Sequence, residues 1–338
     1  MANLYQLISA LPEADWNYYF QFQNNITIPK PIVGKITSVD FINRYFKKGG
    51  KENTILDFNL NDFRSERADH TVSIFFFGLL IFHNTGIKSQ LFYQDVVSDR
   101  YEFFQFIWFM TCLSHDLAFY HEDESEQLQN YPNLEQMKER LAIEHDLLTL
   151  QPDLVPPDMF SLCSRYFNYR HKNGRIDHGI FAGVLMYDRL VKNRLIKKGE
   201  VGEKLLWADW LDGQYAYAAA TVAIHNMWFP QKKDFVAYAE SNLEPLIDHA
   251  KISFHQAPLL FLLGLVDTLD PVKAYWQLSP ALVLKNISLY FSGEGSFNLR
   301  ISKNLNFSVM AKKISDMEQW LSVRTVIKGN QIKIKFID

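Results

Sequence analysis

The chain has 338 residues, a formal net charge of −3, 48% hydrophobic and 22% charged residues. These values describe a globular chain with ample apolar surface to bury, and they exclude a disordered one. Lys plus Arg number 35 against 38 Asp plus Glu, so there is no general nucleic-acid signal. Two cysteines, Cys112 and Cys163, are too few for a disulfide scaffold or a four-thiolate zinc site.

The N-terminus from Met1 to Ala10 has no basic segment leading into an apolar one, so no secretory signal is expected. Pro29 and Pro31 mark extended chain. Ser38 is expected to cap a short helix through Arg44, and Gly49-Gly50 to close that segment. From about Glu66 to Ser279 the pattern is helical. Apolar stretches carry charges at helical spacing, with Pro152, Pro156 and Pro157 breaking the middle. Ile74–Phe82 and Ala257–Val266 are half the length of a membrane span and read as core helices, so no membrane partner is expected and the protein is expected to be cytoplasmic. Trp207–Trp228 and Pro245–Pro271 read as two further helices.

After about Leu284 the pattern changes. Ile287–Phe291 and Phe297–Ile301 alternate around Gly293 and Gly295, a hairpin signal. Met310, Ile314, Met317 and Leu321 recur at helical spacing. Thr325–Ile327 and Ile332–Phe336 flank a second turn, with Lys333 and Lys335 on one solvated strand face. The expected architecture is mostly α, with residues 1–60 as an N-terminal segment packing on the body, 61–284 as a helical domain, and 285–338 as a small α/β module. The end segments leave room for a cover over the site or a homo-oligomer interface.

The helical body carries an ordered series of metal-ligand residue types: His70, His115-Asp116, His178, His225 and Asp267, at intervals of 45, 62, 47 and 42 residues. Each sits on or beside a different expected helix. Imidazole and carboxylate together suit Fe, Mn, Zn or Mg, and facing helices of a bundle bring such ligands together. A single histidine at an apolar helix boundary is more often a hydrogen-bonded core residue, but an unpaired carboxylate in an apolar run is costly, and Asp116 and Asp267 both end such runs. A second doublet, His145-Asp146, follows no apolar helix and reads as surface.

The series resembles the HD superfamily of metal-dependent phosphohydrolases, over about residues 66–280. The resemblance implies an HD-type helical bundle. It implies His70, His115, Asp116 and Asp267 as ligands of a first metal, Asp116 as the bridge to a second, and His178 and His225 as second-metal ligands or proton-transfer groups. Asp116, His178 and His225 are thereby the expected catalytic residues. One or two divalent ions are implied. The activity implied is hydrolysis of a nucleotide or related phosphate ester by a metal-activated hydroxide, as a phosphohydrolase or phosphodiesterase. Departures leave the substrate open. The doublet continues Leu117-Ala118-Phe119-Tyr120 without the x-Gly-Lys of many members, and no Gly-Tyr-Pro motif occurs. Arg175 and Lys273 are the expected phosphate-binding cations, near His178 and Asp267, with Lys232 and Lys233 less favoured. Asp177, Asn226 and Asp270 are candidates to orient the histidines. A one-metal nucleoside triphosphate hydrolase is the alternative within enzymes, and a non-catalytic nucleotide-binding sensor or scaffold the alternative of another class. No phosphate loop, dinucleotide fingerprint or nucleophile elbow is present, and Gly179 and Gly183 read as helix-packing positions.

Overall fold

The computed structural model describes residues 2–21, 28–32, 36–48, 65–91, 104–119, 122, 125–202, 207–227 and 229–337. Gly49-Gly50, Tyr120 and Trp228 lie outside them. The principal helices are α1 (Leu4–Ala10), α2 (Ser38–Lys48), α3 (Ser65–Asn84), α4 (Phe104–Ser114), α5 (Cys163–Lys172), α6 (His178–Val201), α7 (Leu211–Ile224), α8 (Pro258–Leu269) and α9 (Phe307–Met317). Four strands follow α8: β1 (Ile287–Phe291), β2 (Ser296–Ile301), β3 (Val323–Lys328) and β4 (Gln331–Phe336), with α9 between β2 and β3. The protein is therefore mostly helical, with a small antiparallel sheet at its C-terminal end. Among the described residues, no helix is long and apolar enough to cross a membrane.

The chain divides into two compact units. The first holds the described residues up to Cys112 and from Lys251 onward; the second holds Leu113–Ala250. The division falls inside α4, two residues before its end.

In the first unit, α3 and α4 are apolar around most of their circumference, which requires burial on several sides. Aromatic rings supply the filling. Tyr45 of α2 stacks on Phe109 of α4 at 4.0 Å, and Phe75, Phe41 and Trp16 surround the pair. The Tyr45 hydroxyl donates to Trp16 O and accepts from Tyr18 N, so both roles of that buried hydroxyl are filled. Trp108 lies flat over Gly78, where any Cβ would sit 2.2 Å from its ring, and its indole N–H reaches Phe75 O. The cap of α2 differs from the expected one. Thr37 Oγ1 accepts from Asp40 N, while Ser38 is the first helical residue and donates its hydroxyl to Asp69. The helix also runs past Arg44 to Lys48.

The expected helix from Pro245 begins only at Pro258. Before it, Ile252 is held as extended chain, donating to Trp320 O and accepting from Ser322 N. Proline at N1 then starts α8 without sacrificing a hydrogen bond.

The sheet has the order β1-β2-β4-β3, antiparallel throughout. Ile287 pairs with Ile301 and Arg300 with Gln331, and the buried face carries Leu289, Phe297, Leu299, Ile332, Ile334 and Phe336. Both hairpins expected from sequence form, and Gly329 takes φ +59° in the second turn. Lys333 and Lys335 are exposed.

In the second unit α6 and α7 approach closely because small residues face each other. A Cβ at Gly183 would meet Ala219 O at 2.5 Å and Ala223 Cβ at 2.8 Å. Asp177 caps α6, accepting from Ile180 N. The helix expected over Trp207–Trp228 is shorter, Leu211–Ile224, so His225 and Asn226 lie in the turn just beyond it. His145-Asp146 is structural: Asp146 caps a short turn at Leu148 N and pairs with Lys138, and His145 N donates to Asp188.

Candidate metal centre

The apolar α4 ends at Ser114, and His115-Asp116 occupy the turn that follows. His178 is the first residue of α6, and His225 the first beyond α7. In the second unit Asp116, His178 and His225 each offer one ligand atom, and these atoms lie within 4.8 Å of one another. His115 Nε2 is 3.3 Å from Asp116 Oδ2. The imidazoles of His115 and His178 lie 5.5 and 5.2 Å, centroid to centroid, from that of His225.

The partners of the rings assign their tautomers. His225 Nδ1 is 2.6 Å from Val222 O, an acceptor only, so that nitrogen carries the proton. His178 Nδ1 is 3.1 Å from Glu122 Oε2 and is protonated for the same reason. Both Nε2 atoms therefore present lone pairs, and His178 Nε2 faces Asp116 Oδ1 across 3.6 Å. Two lone pairs facing one another repel unless a cation lies with them. A proton is disfavoured, because burial lowers the His178 pKa against the pull of Asp116 and Asp177. Burial, with His178 and His115 beside it, brings His225 down to about 3. Neutral imidazoles with a nearby carboxylate are the donor set a borderline divalent ion takes, and the residues fit such an ion.

Outer contacts hold this set. Glu122 is buried, ion-paired with Arg170, and links that guanidinium to His178. Asn226 Nδ2 donates to Asp177 Oδ2 and lies 3.3 Å from His178 Nδ1. Burial pushes the Asp177 carboxyl up, opposed by His178, the Ile180 amide, Arg170 and Asn226. Gly179 gives His225 its place: a Cβ there would sit 2.9 Å from Val222 O and 3.0 Å from His225 Nδ1.

The first unit repeats the arrangement with His70, on α3, and Asp267, on α8. His70 Nδ1 is 2.7 Å from Asp270 Oδ2, and its Nε2 is 3.1 Å from Asp267 Oδ1. Asp270 also accepts from Ser73 Oγ and from the amides of Val272 and Lys273. It is a fully buried carboxylate whose bonds fix the His70 ring.

Of the cations expected at phosphate, Lys273 donates to Asp267 Oδ1 at 2.6 Å. Arg175 is exposed, its amide donating to Arg170 O. Lys232 and Lys233 form a 3-10 turn with Asp234. Sequence reasoning found the orienting role of Asp270 by adjacency, whereas Asn226, singled out beside His225, instead donates to Asp177. It missed Glu122 and Arg170, which lie 56 and 8 residues before His178 in a pattern that reads as an acidic loop and a basic helix end. No family model, no curated protein and no solved structure matches the chain.

Proposed function

We propose that the protein is a divalent-metal-dependent hydrolase of phosphate esters, with a nucleotide as the substrate class. The observation that carries the proposal is the trio Asp116, His178 and His225, whose ligand atoms converge within 4.8 Å with both imidazole Nε2 atoms unprotonated. His115 belongs to the set through its contact with Asp116. His70 and Asp267 join it on the order of the sequence series alone. The HD-type identity of the helical body is part of the same proposal and rests on that order.

A bound divalent ion supplies a nucleophile from water at neutral pH and neutralises charge developing at phosphorus. Asp116, with two oxygens near two imidazoles, is the residue suited to bridging two ions. Glu122 and Val222 O keep the two rings neutral and aimed. Lys273 and Arg175 are the cations assigned to the substrate, Lys273 by exchanging its bond to Asp267 for one to phosphate.

The test compares wild type and Asp116→Ala, purified without chelator or a metal-affinity tag. Metal content is measured by elemental analysis, and turnover on phosphodiesters, nucleotides and nucleoside triphosphates by product analysis. The proposal expects about two ions in the wild type, their loss in the variant, and turnover lost with them. One ion with tripolyphosphate or phosphate release selects the one-metal triphosphohydrolase. Tight nucleotide binding with no product selects the sensor. No ion after incubation with Mn, Fe, Zn or Mg refutes the metal centre.

A further inference from the structure

The outward face of the C-terminal sheet is basic. Residues 285–338 hold nine Lys and Arg against four Asp and Glu, in a chain of net charge −3. None of the strand residues is acidic. Strand alternation and register place the cations together. One row across the sheet reads Ser288, Arg300, Gln331, Lys328; the next reads Tyr290, Asn298, Lys333, Val326; the third reads Ser296, Lys335, Arg324. Arg300, Arg324, Lys328, Lys333 and Lys335 are all exposed, and Tyr290 is 54% exposed. Among the described residues, no ion pair or hydrogen bond engages the five cationic side chains.

This arrangement is unfavourable to the isolated sheet. Arg324 and Lys335 are direct cross-strand partners, and like charges so placed destabilise a pair. The buried face gains nothing from them, since its residues are the alternate set. An anionic partner removes the repulsion.

We propose that this sheet face binds single-stranded nucleic acid, independently of the metal-centre reading. The cations meet the phosphates. Tyr290, in the central row, offers a ring face on which a base stacks. Asn298, Gln331 and Ser288, interleaved with the cations, offer hydrogen bonds to base edges or sugar hydroxyls. The cations of this face all sit on paired strands, with no helix among them to enter a duplex groove. The face's two apolar side chains, Tyr290 and Val326, are separated by Asn298 and Lys333 and form no wedge for a bilayer.

The test is fluorescence anisotropy of the full chain with labelled single-stranded oligonucleotides of about a dozen residues. The probes are oligo(U), oligo(dT) and a duplex of the same length. Anionic phosphatidylserine vesicles and polyglutamate serve as competitors. The expected result is binding to the single strands over the duplex, weakened by salt with a log–log slope falling by roughly 0.7 for each cation removed. The triple variant Arg324→Gln, Lys333→Gln, Lys335→Gln therefore loses about two units of slope. Tyr290→Ala weakens binding roughly tenfold without changing the slope. These positions are exposed, so unchanged circular dichroism certifies each variant. Oligo(U) favoured over oligo(dT) shows contacts to the ribose hydroxyl, and equal affinity shows phosphate and base contacts alone; both support the proposal. No binding at about 50 mM salt, wild-type binding by the triple variant, or preference for vesicles, polyglutamate or duplex with no effect of Tyr290→Ala overturns it.

Discussion

Two glycines one helical turn apart on α6 are expected to fail in different ways when replaced by alanine. Gly183 faces backbone: its new methyl would lie 2.5 Å from Ala219 O and 2.8–2.9 Å from Ala223 atoms. Nothing there is the flexible end of a side chain, so α6 and α7 must separate. Overpacking of this kind costs about 1–3 kcal/mol, against a gain of at most about 1 kcal/mol from helix propensity. Gly183→Ala should therefore lose about 1–2 kcal/mol net. Gly179→Ala meets Val222 O at 2.9 Å and the His225 ring at 3.0–3.1 Å. The nearest atom is again backbone, so the helix pair must give here too, at a cost of about 1–3 kcal/mol. That movement also disturbs the bond from His225 Nδ1 to Val222 O, which aims Nε2. Losing such an orienting contact typically costs 10–100-fold in metal affinity. Urea unfolding of the metal-free proteins and calorimetric titration with Mn²⁺ separate the two effects. Gly179→Ala binding Mn²⁺ like wild type, or Gly183→Ala losing affinity equally while folded, would refute the assignment of Gly179 to the His225 pocket.

Glu122→Gln should retain fold while weakening metal binding about tenfold or more, because His178 Nδ1–H loses a charged acceptor; wild-type affinity by the same titration would remove Glu122 from the site. Asp188 gives a pH signature remote from the histidines. Burial alone would raise its pKa, but the amides of His145 and Glu144 and the Lys192 ammonium outweigh it and hold the carboxyl below its ordinary 3.8. Arg189 also bonds the carboxylate. A depressed folded pKa contributes stability that is complete above the unfolded value and lost as pH falls from about 4 through the folded one. Asp188→Asn should flatten that segment of the stability–pH curve, read by urea midpoints between pH 5 and 2, and an unchanged slope would disprove it. Gly264→Ala would bring a methyl within 1.9 Å of the Trp320 ring. It should expel the indole and cost about 1–3 kcal/mol, with a red-shifted tryptophan emission as the check.

What the sequence makes legible is governed by range. Both hairpins could be read because each is encoded in one short stretch, with alternation on either side of a glycine turn. The order β1-β2-β4-β3 could not, because the pairing of β2 with β4 crosses α9 and is set by packing rather than by local pattern. The α2 cap was misplaced by one residue because Thr37 and Ser38 are both capping types, and only the tie to Asp69 decides which is used. At the site, His115 and Asp116 announce themselves by ending an apolar run. Asp270 was within reach, three residues beyond Asp267. Glu122 was not: its ring partner lies 56 residues on, and nothing in an acidic loop distinguishes a buried carboxylate from a solvated one. The interval from Pro245 to Pro258 read as helix because its composition allows one, and the exchange of hydrogen bonds between Ile252 and residues 320 and 322 overrides that preference.

The two margins of the four-stranded sheet are each partly occupied, and by different means. Along β1 the N-terminal chain takes the place of a further strand, with Leu289 N donating to Ala2 O and Asn3 bridging Ser288. Along β3 the Glu318 carboxylate accepts from both Thr325 N and Thr325 Oγ1, at 2.6 and 2.7 Å, consuming one of the amides a fifth strand would need. An open edge is a template for strand addition and for aggregation between copies. Each of these contacts takes edge positions away from strand addition by a neighbouring molecule or a peptide. What the sheet offers to solution most fully is therefore its outward face.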